Sequence, residues 1–195
     1  IFAAGIEKET CNAIISELFD FTDRFSVQND DWFYSANEDY NAPDVRYFDF
    51  KNEEFPTGAY KIIAFSDNPD SLLPLAEKYD LPVAVHTADY DKSSPTRVYN
   101  MAKKYPNVNF VMVHMGLCTD NKEAIELMGK LPNLYGDTTW VPLESTIEIV
   151  KRYGSKRIFF GTDSPIDGVD TYVQNAAGEP SLYLRYFNEL ESIIG

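Results

Sequence analysis

Five short apolar segments recur at nearly even spacing along this 195-residue chain, and the repetition limits the folds open to it. Their first residues lie 22, 27, 25 and 24 residues apart, so each interval has room for one helix and two loops. Near-continuous apolar runs are typical of parallel strands that are covered on both faces. The segments are Tyr60–Phe65, Pro82–His86, Asn109–His114, Leu134–Gly136 and Ile158–Gly161.

The intervening segments carry helical patterns. Ser94 and Pro95 form an N-cap and first-turn pair that predicts the start of a helix, and Gly154 predicts the end of another. A strand is also predicted upstream, at Arg24–Gln28. The helices are predicted at Cys11–Phe19, Ser71–Tyr79, Pro95–Ala102, Ala124–Met128, Leu143–Val150 and Leu182–Ile193.

Residues 29–58 show little periodicity and are rich in acidic, amide and aromatic side chains. This composition predicts a long structured loop with a short strand at Asp44–Phe50. The loop is interpreted either as a lid over a site or as a plain connection between elements.

Repeated strand–helix units predict a parallel α/β fold, which is either an eight-fold barrel or a doubly wound sheet. No glycine-rich phosphate-binding turn follows any of the strands, which disfavours the doubly wound sheet. We therefore expect a single TIM (β/α)8-barrel domain over residues 1–195, incomplete at its N-terminus.

The net charge of −14 argues against nucleic acid as a partner. No membrane span or signal peptide is recognisable, so a cytoplasmic location is predicted, with Cys11 and Cys118 as buried fillers.

Polar side chains end three of the predicted strands. The chain has two histidines, His86 and His114, and each closes a strand, 28 residues apart; Asp163 closes the last. Strand ends converge on one rim of a barrel, and two imidazoles with a carboxylate can hold a transition metal or act as general acid and base. Taken singly, each histidine could instead be a hydrogen-bonded core residue, and Asp163 a turn residue.

Weaker candidates surround these three residues. Trp140 could form a wall of the pocket, and Asp89 could contact the substrate. Lys61 lies early in its strand and suits a structural role. Arg97 and Arg185 could pair with a substrate carboxylate.

The segments His86-Thr-Ala88, Val111-Met-Val-His114-Met-Gly116 and Phe160-Gly-Thr-Asp163-Ser-Pro165 resemble signatures of the amidohydrolase superfamily. The resemblance spans about residues 60–168. It implies a divalent metal, often zinc, with His86 as a ligand, His114 as a second ligand or a group that orients the substrate, and Asp163 as ligand and base. It further implies a hydrolase acting on an amide, ester or lactone, with a non-oxidative decarboxylase or a non-catalytic scaffold as alternatives.

The superfamily's His-x-His pair, which ends its first strand, does not occur in this sequence. We therefore expect that pair upstream of Ile1, and a poorly coordinated metal without it. A small-molecule substrate is expected, and a homo-oligomer is left open.

Overall fold

The computed structural model describes residues 5–39, 42–163 and 182–194. The chain divides into two compact units, Ile1–Asp80 and Leu81–Gly195, each with a four-stranded sheet of its own. The single domain predicted over residues 1–195 stays a prediction.

The first unit is built on a mixed sheet with the strand order β3-β2-β1-β4. Helix α1 buries Cys11, Ile14, Ile15 and Leu18, which share one helical face. The rings of Phe25 and Phe50 pack with their centroids 5.2 Å apart. The elements are α1 (Lys8–Leu18), β1 (Phe25–Gln28), β2 (Phe33–Ser35), β3 (Val45–Tyr47), β4 (Lys61–Ala64) and α2 (Leu73–Lys78).

The pairing of this sheet differs from the prediction. Both β1 and β4 were expected among the parallel barrel strands, whereas they pair antiparallel, with Phe25 opposite Ala64 and Gln28 opposite Lys61. The burial of β1 explains the difference: Phe25 and Val27 are buried and the residues between them are less so, an alternation typical of an antiparallel strand with one covered face. Strand β2 was not predicted, while β3 confirms the short strand expected within 44–50.

The second unit contains the repeating strand–helix pattern that the sequence predicts. Its sheet has the order β5-β6-β7-β8, and every neighbouring pair is parallel. Within the described residues this sheet does not close into a barrel. Its elements are β5 (Val83–Ala88), α3 (Pro95–Lys104), β6 (Phe110–Leu117), α4 (Lys122–Met128), β7 (Leu134–Asp137), α5 (Leu143–Tyr153), β8 (Ile158–Phe159) and α6 (Leu182–Ile194).

One face of this sheet forms the core of the second unit. Phe110, Met112 and Leu134 are fully buried where helices α3 and α4 pack on β6 and β7. The residues that alternate with them, such as Val111 and Tyr135, are half-buried on the other face. Because all four strands are parallel, their carboxyl ends lie along the same edge of the sheet.

Local signals set the helix ends. Helix α3 begins at Pro95 after Ser94, although the Ser94 side chain makes no capping hydrogen bond. Helix α5 ends at Gly154, whose φ of 86° suits glycine. At the amino-terminal side of the sheet, Nη2 of Arg157 donates to three main-chain carbonyl oxygens, at 2.7 Å to Met128, 2.8 Å to Leu131 and 2.7 Å to Leu134.

None of the helices in the described part of the chain is long and apolar enough to cross a membrane.

Candidate functional site

Two neighbouring parallel strands bring the chain's two histidines together. His86 pairs with Val113 across β5 and β6, so His114 lies one residue beyond that pair. The imidazole centroids are 4.8 Å apart and the ring planes meet at 74°. His86 is exposed, whereas His114 is only 6% exposed. The two rings therefore form one small polar site at the carboxyl end of the sheet.

The backbone of His114 is left-handed, with φ of 66°. The ladder between β6 and β7 ends earlier, at Met112 and Gly136, so no strand neighbour takes the His114 N–H. That N–H donates instead to Oδ1 of Asp137 at 2.9 Å. The ring Nδ1 lies 3.1 Å from the carbonyl oxygen of Thr139. A carbonyl oxygen only accepts, so Nδ1 carries a proton, and in the neutral imidazole the lone pair is on Nε2.

Asp137 is a buried carboxylate at the end of β7, 8% exposed. Besides the His114 N–H, it accepts the Thr139 N–H at 3.3 Å and the Thr139 hydroxyl at 2.7 Å. Burial raises the pKa of Asp137, and these hydrogen bonds act in the opposite direction. Asp137 and Thr139 were not predicted from the sequence as site residues. A signal was present, because they come at the end of the apolar run Leu134–Gly136, as His114 comes at the end of Asn109–His114.

Asp163 lies four residues past the end of β8, at the same edge, and is exposed. Its backbone is also left-handed, with φ of 59°. The pKa of His86 is lowered, first because protein atoms exclude part of its hydration and then because His114 is adjacent, while Asp163 acts to raise it. The structure thus brings His86 and His114 into contact and places Asp163 within electrostatic range of His86.

These donors suit a divalent metal in chemical type. A neutral His86 can coordinate, and His114 shows the arrangement typical of a ligand, with Nδ1 hydrogen-bonded to a carbonyl and no partner for Nε2 among the described residues. In the part of the chain that the structure describes, no three His, Cys, Asp or Glu side chains are grouped to hold an ion. The described residues thus bring two such donors, His86 and His114, into contact.

Trp140 and Asp89 lie on the loops that leave this edge. Trp140 directly follows Thr139, is half-buried with φ of 60°, and donates its N–H to Oη of Tyr183 at 2.9 Å. Asp89 is exposed, and its N–H donates to the carbonyl of Leu117 at 2.9 Å. Their roles in substrate binding stay predictions.

The weaker candidates are placed elsewhere. Lys61 is exposed at the start of β4, in the first unit. Arg97 is exposed and donates to the carbonyl of Asp91. Arg185 falls on α6, but its side chain is outside the described part. One cysteine prediction was wrong: Cys11 is buried, whereas Cys118, which directly follows β6 and has a φ of 68°, is exposed.

The sequence model of the family described as Amidohydrolase matches residues 34–182. The chain belongs to the amidohydrolase family. This membership confirms the predicted family and the TIM-barrel fold class, of which the four parallel strands β5–β8 are a consecutive part. The family generally binds divalent metals and includes metal-dependent hydrolases and decarboxylases. A search of curated proteins found no match.

Three solved structures are similar to this chain. An uncharacterized TIM-barrel protein from Bordetella bronchiseptica is 20% identical, with a TM-score of 0.42; the alignment covers 63% of this chain and 47% of that protein. An amidohydrolase from Bifidobacterium longum subsp. infantis is 14% identical with a TM-score of 0.44, again with 63% covering 47%. A dihydroxybenzoic acid decarboxylase from Polaromonas sp. JS666, with bound manganese and 2-nitroresorcinol, is 13% identical with a TM-score of 0.40, and 64% of this chain covers 55% of it. The chain thus spans about half the length of these proteins.

Proposed function

We propose that this chain carries part of the active site of a metal-dependent hydrolase, in which an activated water attacks an amide, ester or lactone carbonyl. The observation that supports this function best is the pair of imidazoles on two adjacent parallel strands, with ring centroids 4.8 Å apart and with Nδ1 of His114 held by a carbonyl oxygen. Family membership supports a metal-dependent reaction, and the histidine pair supports this position for the active site.

Each residue has a distinct role in this proposal. His86 acts as a neutral metal ligand, which agrees with its lowered pKa. His114 uses Nε2 as a second ligand or to polarise the carbonyl of the substrate. Asp163 accepts the proton of the attacking water. When bound, a divalent metal such as zinc supplies Lewis acidity toward water and toward a carbonyl oxygen. Trp140 forms a wall of the pocket, and Asp89 contacts the substrate.

The test of metal binding uses the fact that the chain has only two histidines. In protein labelled with ¹⁵N histidine, replacement of His86 or His114 by Gln assigns each ring. Zinc chloride is then titrated in, and we expect the ring ¹⁵N resonances of both imidazoles to shift together. In His86→Gln, the shift of the His114 ring should weaken strongly. If the resonances of neither ring change when zinc is added, the proposed ligand roles are contradicted.

The test of catalysis compares two carboxylates of the second unit. Asp163→Asn should lower the hydrolysis of a panel of aryl esters and lactones about 10²–10⁴-fold, the range for losing a general base. Asp120→Asn is the matched control, because Asp120 is an exposed carboxylate on the β6–α4 loop that pairs with Lys122 at 2.7 Å. Full activity of Asp163→Asn would refute its role. Carbon dioxide release from a hydroxybenzoate, without ester turnover, would indicate a decarboxylase instead.

A further inference from the structure

The proposed chemistry leaves one buried acidic group without a role. Asp137 accepts three hydrogen bonds, all from two residues: the backbone N–H of His114, and the backbone N–H and hydroxyl of Thr139. Oδ1 receives both N–H groups, while Oδ2 receives the hydroxyl. No salt bridge to Asp137 is formed by the described residues. Its partners are therefore neutral groups in fixed directions, a pattern typical of a carboxylate that sets geometry.

His114 needs such a partner because of its backbone. With φ of 66° and no strand neighbour, its N–H would be buried without an acceptor if Asp137 were absent. The Oδ1 atom of Asp137 stands in for the missing strand carbonyl, at 2.9 Å. This contact fixes the position of the His114 backbone, and with it the Cα–Cβ bond that carries the imidazole.

The same carboxylate also controls the group that holds the ring. Nδ1 of His114 donates to the carbonyl of Thr139 at 3.1 Å. Both the N–H and the hydroxyl of Thr139 bind Asp137, so the direction of that carbonyl depends on the carboxylate. Asp137 thus holds His114 at two points: directly through the main chain, and indirectly through the acceptor of its ring proton.

We propose that Asp137 is a positioning residue that sets the Nδ1–H tautomer and the orientation of His114. It thereby leaves the lone pair on Nε2 of the imidazole that contacts His86. What that lone pair then does, as a ligand or a polarising group, rests on the function proposed above. The tautomer itself does not, because it is a property of the protein without metal or substrate.

The test measures the tautomer of His114 in metal-free protein labelled with ¹⁵N histidine, from the two-bond couplings between ring protons and ring nitrogens. Asp137→Asn keeps the side-chain shape: its Oδ1 can accept both N–H groups, and its amide can donate to the Thr139 hydroxyl. Asp137→Ala removes every acceptor. The control is Thr146→Val, because Thr146 is also buried, while within the described residues its hydroxyl bonds to Oη of Tyr186, at 2.7 Å, and not to Asp137 or His114.

We expect His114 to be the Nδ1–H tautomer in the wild type, in Asp137→Asn and in Thr146→Val. In Asp137→Ala, Nδ1–H should fall to a minor fraction, because an unrestrained imidazole prefers Nε2–H. A folded Asp137→Ala that keeps the wild-type tautomer would overturn the proposal. A wild-type His114 in the Nε2–H form would overturn it without any variant, even if Asp137→Ala fails to fold. Absence of zinc binding or turnover would refute the proposed function alone.

Discussion

Gly161 is a residue at which a single methyl group should disturb the candidate site. It follows β8, where its N–H donates to Oγ1 of Thr138 at 3.0 Å and its carbonyl accepts from the same hydroxyl at 2.8 Å. A Cβ placed on Gly161 would lie 2.6 Å from Oγ1 of Thr139 and 3.6 Å from Oδ2 of Asp137. The first distance is far inside van der Waals contact, so something must move in Gly161→Ala.

The Thr139 hydroxyl cannot move without cost. It donates to Asp137 at 2.7 Å, and Thr139 is buried. Overpacking of a buried site costs about 1–3 kcal/mol, and losing the hydrogen bond adds about 0.5–1.5 kcal/mol. We expect Gly161→Ala to lower the free energy of unfolding of the second unit by about 2–3 kcal/mol, within the range of these two effects.

A double-mutant cycle isolates the clash. In Thr139→Ala the clashing oxygen is gone, and the nearest remaining atom, Oδ2 of Asp137, lies 3.6 Å from the new methyl group, an ordinary van der Waals contact. Thr139→Ala alone should cost about 1 kcal/mol for the lost hydrogen bond. The double variant should then be little worse than Thr139→Ala, which gives a coupling energy of about 1 kcal/mol or more.

The assay is urea unfolding followed by the fluorescence of Trp140 in a Trp32→Phe background, since these are the only two tryptophans. The control is Gly154→Ala, which is strained by its φ of 86° but has no atom within 4 Å of its new Cβ. The losses of unfolding free energy caused by Gly154→Ala and Thr139→Ala should be additive in the double variant. If the costs of Gly161→Ala and Thr139→Ala also add to within about 0.5 kcal/mol, the steric argument is wrong.

Three further predictions concern other parts of the chain. Arg157→Met keeps the apolar part of the side chain but loses its hydrogen bonds to three carbonyl oxygens. Urea unfolding should show that the free energy of unfolding falls by about 1.5–3 kcal/mol or more. An unchanged unfolding midpoint would contradict this. Ellman's reagent should modify only Cys118 in the native protein and both thiols in urea, because Cys11 is buried and burial raises its pKa to about 11; two fast native thiols would refute this. Hydrogen bonds from Lys78 and Tyr79 lower the pKa of Glu17 in the folded protein. Ionised Glu17 therefore stabilises the fold at pH values above its pKa in the unfolded chain, and this stabilisation is lost as the pH falls through its pKa in the folded protein. The stability difference between wild type and Glu17→Gln should therefore shrink in acid, and a difference that does not change with pH would contradict it.

The sequence predicted the second unit well because its signals are local. The apolar runs that became β5, β6 and β7 are continuous, and the helix ends carry Ser94, Pro95 and Gly154. Each of these features acts through its immediate neighbours, so it can be recognised without knowledge of the fold. The first unit was predicted less well, because the pairing partner of a short strand such as β4 depends on contacts that composition does not encode.

The candidate site was predicted in part for a similar reason. His86, His114 and Asp163 stand out because they interrupt or end apolar runs. Asp137 and Thr139 end such a run as well, but their residue types are common in turns, which hid them. Their importance depends on the left-handed backbone of His114, and nothing in the sequence predicts that conformation for a residue other than glycine.

That backbone conformation recurs at the ends of β6, β7 and β8. His114, Trp140 and Asp163 all have positive φ, between 59° and 66°. Each costs about 1–2 kcal/mol relative to a right-handed residue, against a total stability of about 5–15 kcal/mol for a typical domain. A chain selected for stability alone would place glycine at these positions. Asp80, Met115, Cys118 and Asn121 share the conformation, so positive φ alone does not mark a site residue. What distinguishes His114, Trp140 and Asp163 is that all three were also identified as site residues from the sequence.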